Sequence, residues 1–419
     1  MESYIDKETI SYVIQAEEEK SYVKLPMYID EGTEHIQVSY QFSGKDNGAV
    51  VDLGIADPYQ FRGWSGGARS EFFITEKDAT PGYQRGRLHC GTWHIILGAY
   101  RIPEAGCHVE VTVKKTVAEE RMWLKGDLHM HTEHSDGSYT LEETFQSVKE
   151  KGFDYLATTD HNVATQNRHG FSESDLLIIP GMEWSTYKGH ANILGGFNPR
   201  ESFQVETNEE VSELTHAVVS RGDLWIVNHP FDDGCPWEWD WPEQMKAVEV
   251  WNGPWRTINQ KAINWWHEQL TKGYRLPAVG GSDTHRPDPY VTHGTPTTWV
   301  HAKGRTVEST LEAIRNGRTV ISSSADGPRI EVCSGTAFIG DEVAAADVQL
   351  DMIVYEGKVG QEVRLYTERG LAATHTLTTA EPTWVQRSDA SATRFYRAEL
   401  WSEDGKQLLS LCNPLYIKE

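Results

Sequence analysis

The sequence predicts an α/β protein whose central segment is flanked by two all-β domains. Three observations carry this expectation. Residues 1–121 alternate apolar and polar side chains, residues 122–325 alternate short apolar runs with helical patterns, and residues 326–419 return to alternation. At 419 residues the chain is long for a single core, so several domains are expected.

In the first segment, "HIQVSYQF" places Ile36, Val38, Tyr40 and Phe42 on one face. That period of two marks a half-buried strand. "AVVDLGI", "EFFIT", "GTWHIILGAY" and "HVEVTVKK" read the same way, separated by Gly-, Pro- and Asp-containing turns. A β-sandwich is the architecture expected of 1–121.

The middle segment changes rhythm. Thr140 followed by Glu143 is a capping-box pattern, and Leu141, Phe145 and Val148 repeat at helical spacing up to Gly152. "FDYLATTDH", "LLIIPGMEWS", "HANILGG", "LWIVNHP", "AVEVWNG", "LPAVGGSDTH" and "TTWV" are strand-like. Helices are expected over 207–221, near 255–272 and in "TVESTLEAIRNG". Strands alternating with helices point to a parallel α/β sheet or barrel. From 326 onward "VQLDMIVY", "EVRLYT", "RFYRAELW" and "PLYI" suggest a second small sandwich.

Composition bounds the partners. A formal charge of −23 argues against bulk DNA or RNA as a partner. The first twenty residues lack a basic region followed by an apolar core, so no signal peptide is expected. No apolar run approaches the roughly 18–20 residues of a membrane helix. Cys90, Cys107, Cys235, Cys333 and Cys412 are scattered, which reads as free thiols in the cytoplasm. Oligomeric state is not legible.

Twelve of the 17 histidines fall between 129 and 301. Each candidate ligand follows an apolar run. His129 and His131 follow "WLKGDL", Asp160 and His161 follow "YLATT", and Glu183 follows "LLIIPG". His229 follows "LWIVN", and Asp283 with His285 follows "PAVGGS". Strand C-terminal ends in an α/β barrel share one face, so distant residues would converge there. Imidazole suits zinc, iron and manganese, and carboxylate suits harder cations. His-x-His on a strand turns both rings the same way.

"DLHMHTEHSDG", "TTDHN", "GMEWS", "NHP" and "GGSDTH", in that order, resemble the polymerase and histidinol phosphatase (PHP) family. The resemblance covers residues 122 to about 325 and implies a distorted (β/α)7 barrel with two or three divalent ions (Zn, Mn or Fe). "GTWHIILGAY" and "NPLYI" look like its carbaryl-hydrolase-like branch, in which β-domains flank the barrel. Carried over, His129, His131, Glu183 and Asp283 resemble one ion site. Glu183, His190 and His229 resemble a second, and Asp136, His161 and His285 a third.

The resemblance makes Glu183, Asp160, His161 and Asp283 the candidate catalytic residues, with Asp160 orienting a ligand histidine. Candidate substrate contacts are His134, Arg168, Trp184, Asn252 and Arg286, the arginines because a guanidinium fork suits phosphate. Bland readings stand beside these. His134 can simply be solvated, Arg168 can be a surface-loop residue, and the tryptophans of "CPWEWDWPEQ" can be ordinary packing. His216, His267, His293 and His301 read as structural or exposed. The implied reaction is phosphoester hydrolysis by a metal-bridging hydroxide on a small-molecule ester. Carboxylic or carbamic ester hydrolysis is the alternative. A non-catalytic, carbohydrate- or ligand-binding protein with a degenerate barrel is the other, although none of His131, Glu183, His229 and Asp283 is missing.

Overall fold

The computed structural model describes residues 2–168, 176–196, 203–379, 383–386 and 393–418. The chain divides into two compact units, residues 1–122 with 302–310, and residues 123–301 with 311–419.

The first unit holds two four-stranded sheets. One runs Ser3–Ile14, Cys107–Ala118, Thr33–Phe42, Glu71–Thr75; the other runs Tyr22–Ile29, Gly91–Arg101, Val50–Ala56, Phe61–Gly66. All their pairings are antiparallel. The alternation read in 35–42 is the burial pattern found, with Ile36, Val38 and Tyr40 inside and Phe42 half-buried. Those residues share one core with Trp93, Ile95, Val109 and Val111. The strand Ser3–Ile14 was invisible in the pattern because it pairs along one side only and most of its residues are exposed.

In the second unit, the strands Arg121–Asp127, Tyr155–Thr158 and Leu177–Thr186 are parallel neighbours. Leu177–Thr186, Gly189–Leu194 and Leu224–Val227 then pair antiparallel. Leu224–Val227, Ala247–Asn252 and Ala278–Gly281 are parallel again. The expected all-parallel order fails at the hairpin 177–194 for a simple reason. Only Tyr187 and Lys188 join its strands, whereas a parallel crossover needs a dozen residues or more. A parallel bridge pairs Met130 with Thr284, so the chain just past the first of these strands lies against the chain just past the last.

Helices span Leu141–Glu150, Asn208–Val219, Thr257–Thr271 and Val307–Arg315. The first two begin in reciprocal capping boxes, Thr140 with Glu143 and Thr207 with Glu210. Each satisfies otherwise orphaned N–H groups at the helix start. No helix among the described residues is long and apolar enough to cross a membrane.

The large sheet does not stop at residue 325. Thr319–Ser322 pairs with Leu408–Cys412, and the sheet continues through Phe395–Trp401 to Glu362–Thr367 and Gly370–Thr376. Ile321 accordingly packs in one cluster with Phe395, Trp401, Leu408, Leu411 and Trp266 of the helix Thr257–Thr271. Arg329–Ser334, Leu350–Tyr355 and two short partners form a separate four-stranded sheet. The expected mixed α/β class is thus what the second unit shows, with many additional strands in sheets.

Candidate metal centre

Alternation about the bridged residue Met130, just past the strand Arg121–Asp127, sorts the first ligand pair. Met130 packs inward with Val148, Phe153 and Leu156, which turns His129 and His131 together to the other side. Both rings are fully buried. Backbone bonds lock this stretch to its distant partner, since His131 N–H donates to Thr284 O and Asp283 N–H donates to His129 O, each at 2.9 Å. Asp127 sits beneath and is fully buried, accepting from the N–H groups of His129, Ser282 and Gly294.

Glu183 is the hub. Its Oε1 lies 3.2 Å from His129 Nε2, 3.2 Å from His190 Nδ1 and 3.3 Å from His229 Nε2. Its Oε2 lies 2.8 Å from His161 Nδ1 and 3.5 Å from His131 Nε2. Asn228 Nδ2 donates to Oε1 at 2.8 Å. Asp283 Oδ1 faces His131 Nε2 at 3.1 Å and His129 Nε2 at 3.3 Å. Asp136 Oδ1, on the more open side, lies 3.5 Å from His285 Nε2 and 3.6 Å from His161 Nε2. All nine ligands expected from the sequence converge here.

Electrostatics holds the centre together. Burial alone would raise the carboxyl of Glu183, yet His129 and the hydrogen bonds from His129, His161 and His190 hold it well below the usual carboxylate range. Asp283 is likewise held well below that range against burial, by His129 and His131. Burial disfavours a charged His190, but Cys235 and Glu183 bring its ring up to about 9. His229 is also brought to about 9, by Glu183, Asp283 and Glu249 against burial. The backbone is strained where it presents ligands, with φ of +26° at His229 and +53° at Asp283.

The donor set fits divalent ions. His129 Nδ1 donates to Glu249 Oε1 at 3.0 Å, so in the neutral ring the Nε2 lone pair faces oxygens of both Glu183 and Asp283. Without an ion these carboxylates raise His129 well above the usual imidazole range despite its burial, and a divalent ion there would take the place of that proton. The buried Nδ1 atoms of His131 and His229 have no hydrogen-bond partner among the described residues. Ligand atoms lie within 4.8 Å of one another in His129–His131–Asp283, in His161–Glu183–His190, in His131–Asp136–His161–His285 and in His129–His229–Glu249.

Several supporting residues were missed in the sequence. Glu249 is 2% exposed; its Oε2 accepts from His229 N–H at 3.0 Å and from Asn252 Nδ2 at 3.1 Å. A lone carboxylate inside the apolar run "AVEVWNG" was the available signal, because a buried charge needs partners. Asn228, in "NHP", and Ser185, 2.6 Å from His161 Nδ1, went unnoticed too. Cys235 Sγ lies 3.2 Å from His190 Nε2.

Other expected residues fall elsewhere. Asp160 is fully buried and its oxygens are taken by Thr132 N–H, Thr132 Oγ1 and Ser135 Oγ. It therefore shapes the loop leading to Asp136 rather than meeting a substrate. Trp184 is fully buried and donates its indole N–H to Phe203 O at 2.6 Å. Neighbouring strand residues face opposite sides, so placing Glu183 in the centre sends Trp184 into a core with Trp225, Trp237 and Trp239. The bland reading of the tryptophans is the one observed.

A cavity of ≈ 400 Å³ opens onto the centre, lined by Glu183, His190, Asn252, Arg256, Asp283 and neighbours. Asn252 is there, and its Nδ2 lies 3.3 Å from Asp283 Oδ2. His134 and Arg286 are not among the lining residues; His134 Nδ1 pairs with Thr165 Oγ1 and Arg286 is exposed. The side chain of Arg168 lies outside the described residues. His216 is exposed, His267 meets Arg397, and His293 meets Ser147, which leaves all three out of the cluster. His301 stacks on Trp123.

The PHP domain family matches residues 127–221. Over 123 residues, 29% of the chain, it is 35% identical to the DNA polymerase/3'-5' exonuclease PolX of Bacillus subtilis (strain 168). The match spans only 20% of that protein's length. A Bacteroides vulgatus ATCC 8482 two-domain protein, containing a predicted PHP-like metal-dependent phosphoesterase, is 17% identical with a TM-score of 0.40. The alignment covers 71% of this chain and 96% of that one. A candidate metal-dependent phosphoesterase from Bifidobacterium adolescentis ATCC 15703 is 14% identical with a TM-score of 0.30, covering 40% and 90%.

Proposed function

We propose that the chain, whose residues 127–221 match the PHP domain family, is a metal-dependent hydrolase of phosphoesters holding two or three divalent ions (zinc, manganese or iron). The observation that carries this reading is the convergence of five imidazoles, from His129, His131, His161, His190 and His229, on the one carboxylate of Glu183. His129, His131, Glu183 and Asp283 would hold one ion, Glu183, His190 and His229 a second, and Asp136, His161 and His285 a third. When bound, the ions supply an activated water and positive charge against the reacting oxygens.

The chain's own residues prepare that chemistry. Glu249 fixes the His129 ring and the His229 backbone, Asp160 fixes the loop bearing Asp136, and Asn252 tethers Asp283. We read the seven strands from Arg121–Asp127 to Ala278–Gly281 as the distorted (β/α)7 barrel, a reading supported by the Met130–Thr284 bridge. The flanking sheets are read as sandwich domains, which supports the carbaryl-hydrolase-like branch as the narrower placement. Five free cysteines support a cytoplasmic location.

Phosphoesters are favoured over aryl carbamates by the cavity lining, which among the described residues includes Asp232, Arg256 and Ser282 and no tryptophan. A degenerate binding module is disfavoured by the complete donor set. The test is turnover of phosphomonoesters, phosphodiesters and aryl carbamates by protein whose metal content has been measured. Two or three equivalents of metal with phosphoester turnover is the expected result. Metal-free protein, or carbamate turnover alone, would overturn it.

A further inference from the structure

Among the described residues lining the cavity, Arg256 is the one lysine or arginine, set in a wall that otherwise carries the acids Glu183, Asp232 and Asp283. In a chain of formal charge −23, an anionic substrate would be repelled from such a wall without a local cation. Arg256 is exposed, so its charge costs little to keep there.

Its placement is not loose. Nη2 is 3.2 Å from Asn252 Oδ1 and 3.5 Å from Asn252 O, and Asn252 Nδ2 is 3.3 Å from Asp283 Oδ2. One amide therefore stands between the guanidinium and a metal-ligand carboxylate. Nε and Nη1 have no partner among the described residues, so one of them can pair with the second hydrogen of Nη2 as a donor fork. Such a fork matches two oxygens of a phosphate.

We propose that Arg256 grips the terminal oxygens of a phosphate dianion, making the site selective for phosphomonoesters over phosphodiesters. This rests on the phosphoesterase reading above. A monoester presents three terminal oxygens and two negative charges; a diester presents two oxygens and one charge. The arginine rewards the extra oxygen and charge, and its own side chain is one residue from the helix Thr257–Thr271, which steadies its backbone.

The test compares wild type with Arg256→Gln and Arg256→Lys, all metal-loaded, with metal content measured for each. Losing one or two charge-assisted hydrogen bonds is expected to cut the kcat/KM preference for p-nitrophenyl phosphate over bis(p-nitrophenyl) phosphate by about 10- to 100-fold in Arg256→Gln. Arg256→Lys should recover part of it. Inorganic phosphate, titrated calorimetrically, is the probe independent of turnover, and its affinity should fall about tenfold or more in Arg256→Gln. An unchanged preference, or equal phosphate affinity in wild type and variant, would overturn the proposal. If neither ester is hydrolysed while phosphate binding still depends on Arg256, the subsite stands and the phosphoesterase reading fails.

Discussion

His129 Nδ1 lies 3.0 Å from Glu249 Oε1, and both side chains are buried. This pair fixes which ring nitrogen of His129 faces the cluster. The same carboxylate holds the backbone N–H of His229, so it orients two ligands at once.

Glu249→Gln should therefore weaken metal binding without emptying the site. Partners of ligand histidines typically contribute 10- to 100-fold in affinity, and a loss of about tenfold or more is expected here. Competition with a chromophoric chelator measures it. An unchanged affinity would mean that Glu249 serves packing only.

Glu183→Ala removes the carboxylate that meets five imidazoles. The variant should bind at least one ion fewer and lose detectable turnover, checked by elemental analysis beside the activity assay. Full metal content with full turnover would rule out its bridging role.

Cys235 Sγ sits 3.2 Å from His190 Nε2 and lines the cavity. A maleimide adduct there cannot fit without displacing the ring. Alkylated protein should lose one ion, while Cys235→Ala treated identically should not. Mass spectrometry and metal analysis read the outcome; alkylated Cys235 with undiminished metal would contradict it.

Trp184→Phe should lower stability by about 1–3 kcal/mol, since it leaves Phe203 O unpaired and a gap in the core. KM should not move, because the ring is fully buried. A KM change with unchanged stability would restore Trp184 as a substrate contact.

In the first unit, burial works against ionised Glu308, but His89 and Arg87 bring it down to about 2. Glu76, whose carboxylate caps Val307 N–H and Glu308 N–H, is pushed up by burial to about 7. Glu308 thus contributes stability above its unfolded value of 4.5 that is lost as pH falls toward 2. Glu76, with its folded value raised, favours folding while protonated, and that advantage is lost as pH rises from 4.5 toward 7. Denaturation curves from pH 3 to about 8 should show a shallower acid limb in Glu308→Gln and a shallower upper limb in Glu76→Gln. Parallel curves for all three proteins would contradict both assignments.

Most of the ligands were legible because they close an apolar run, a pattern visible one strand at a time, whereas Asp136 and His190 came only from the family resemblance. Glu249 and Arg256 were not, since their roles depend on neighbours supplied by other strands. Helices with capping boxes at Thr140 and Thr207 were read to within a residue or two. Strand direction was not, because alternation does not say how a strand pairs. The edge strand Ser3–Ile14 gave no signal, since its exposed residues need not be apolar. Trp184 misled for a related reason: proximity to Glu183 in sequence means the opposite face in a strand.

The hairpin Leu177–Leu194 has a consequence for the order in which the chain assembles. Glu183 and His190 sit on its two strands, seven residues apart, and meet across a turn of two residues. His129 and Asp283 meet only after a loop of about 150 residues is closed, and closure entropy grows with that length. A short antiparallel pair forms on microsecond timescales, whereas distant parallel pairing is slow. During synthesis, residues 177–194 emerge well before residue 283 is made. The hub carboxylate and one of its imidazoles are therefore a local unit, ready to capture an ion while His229, Asp283 and His285 are still to be translated.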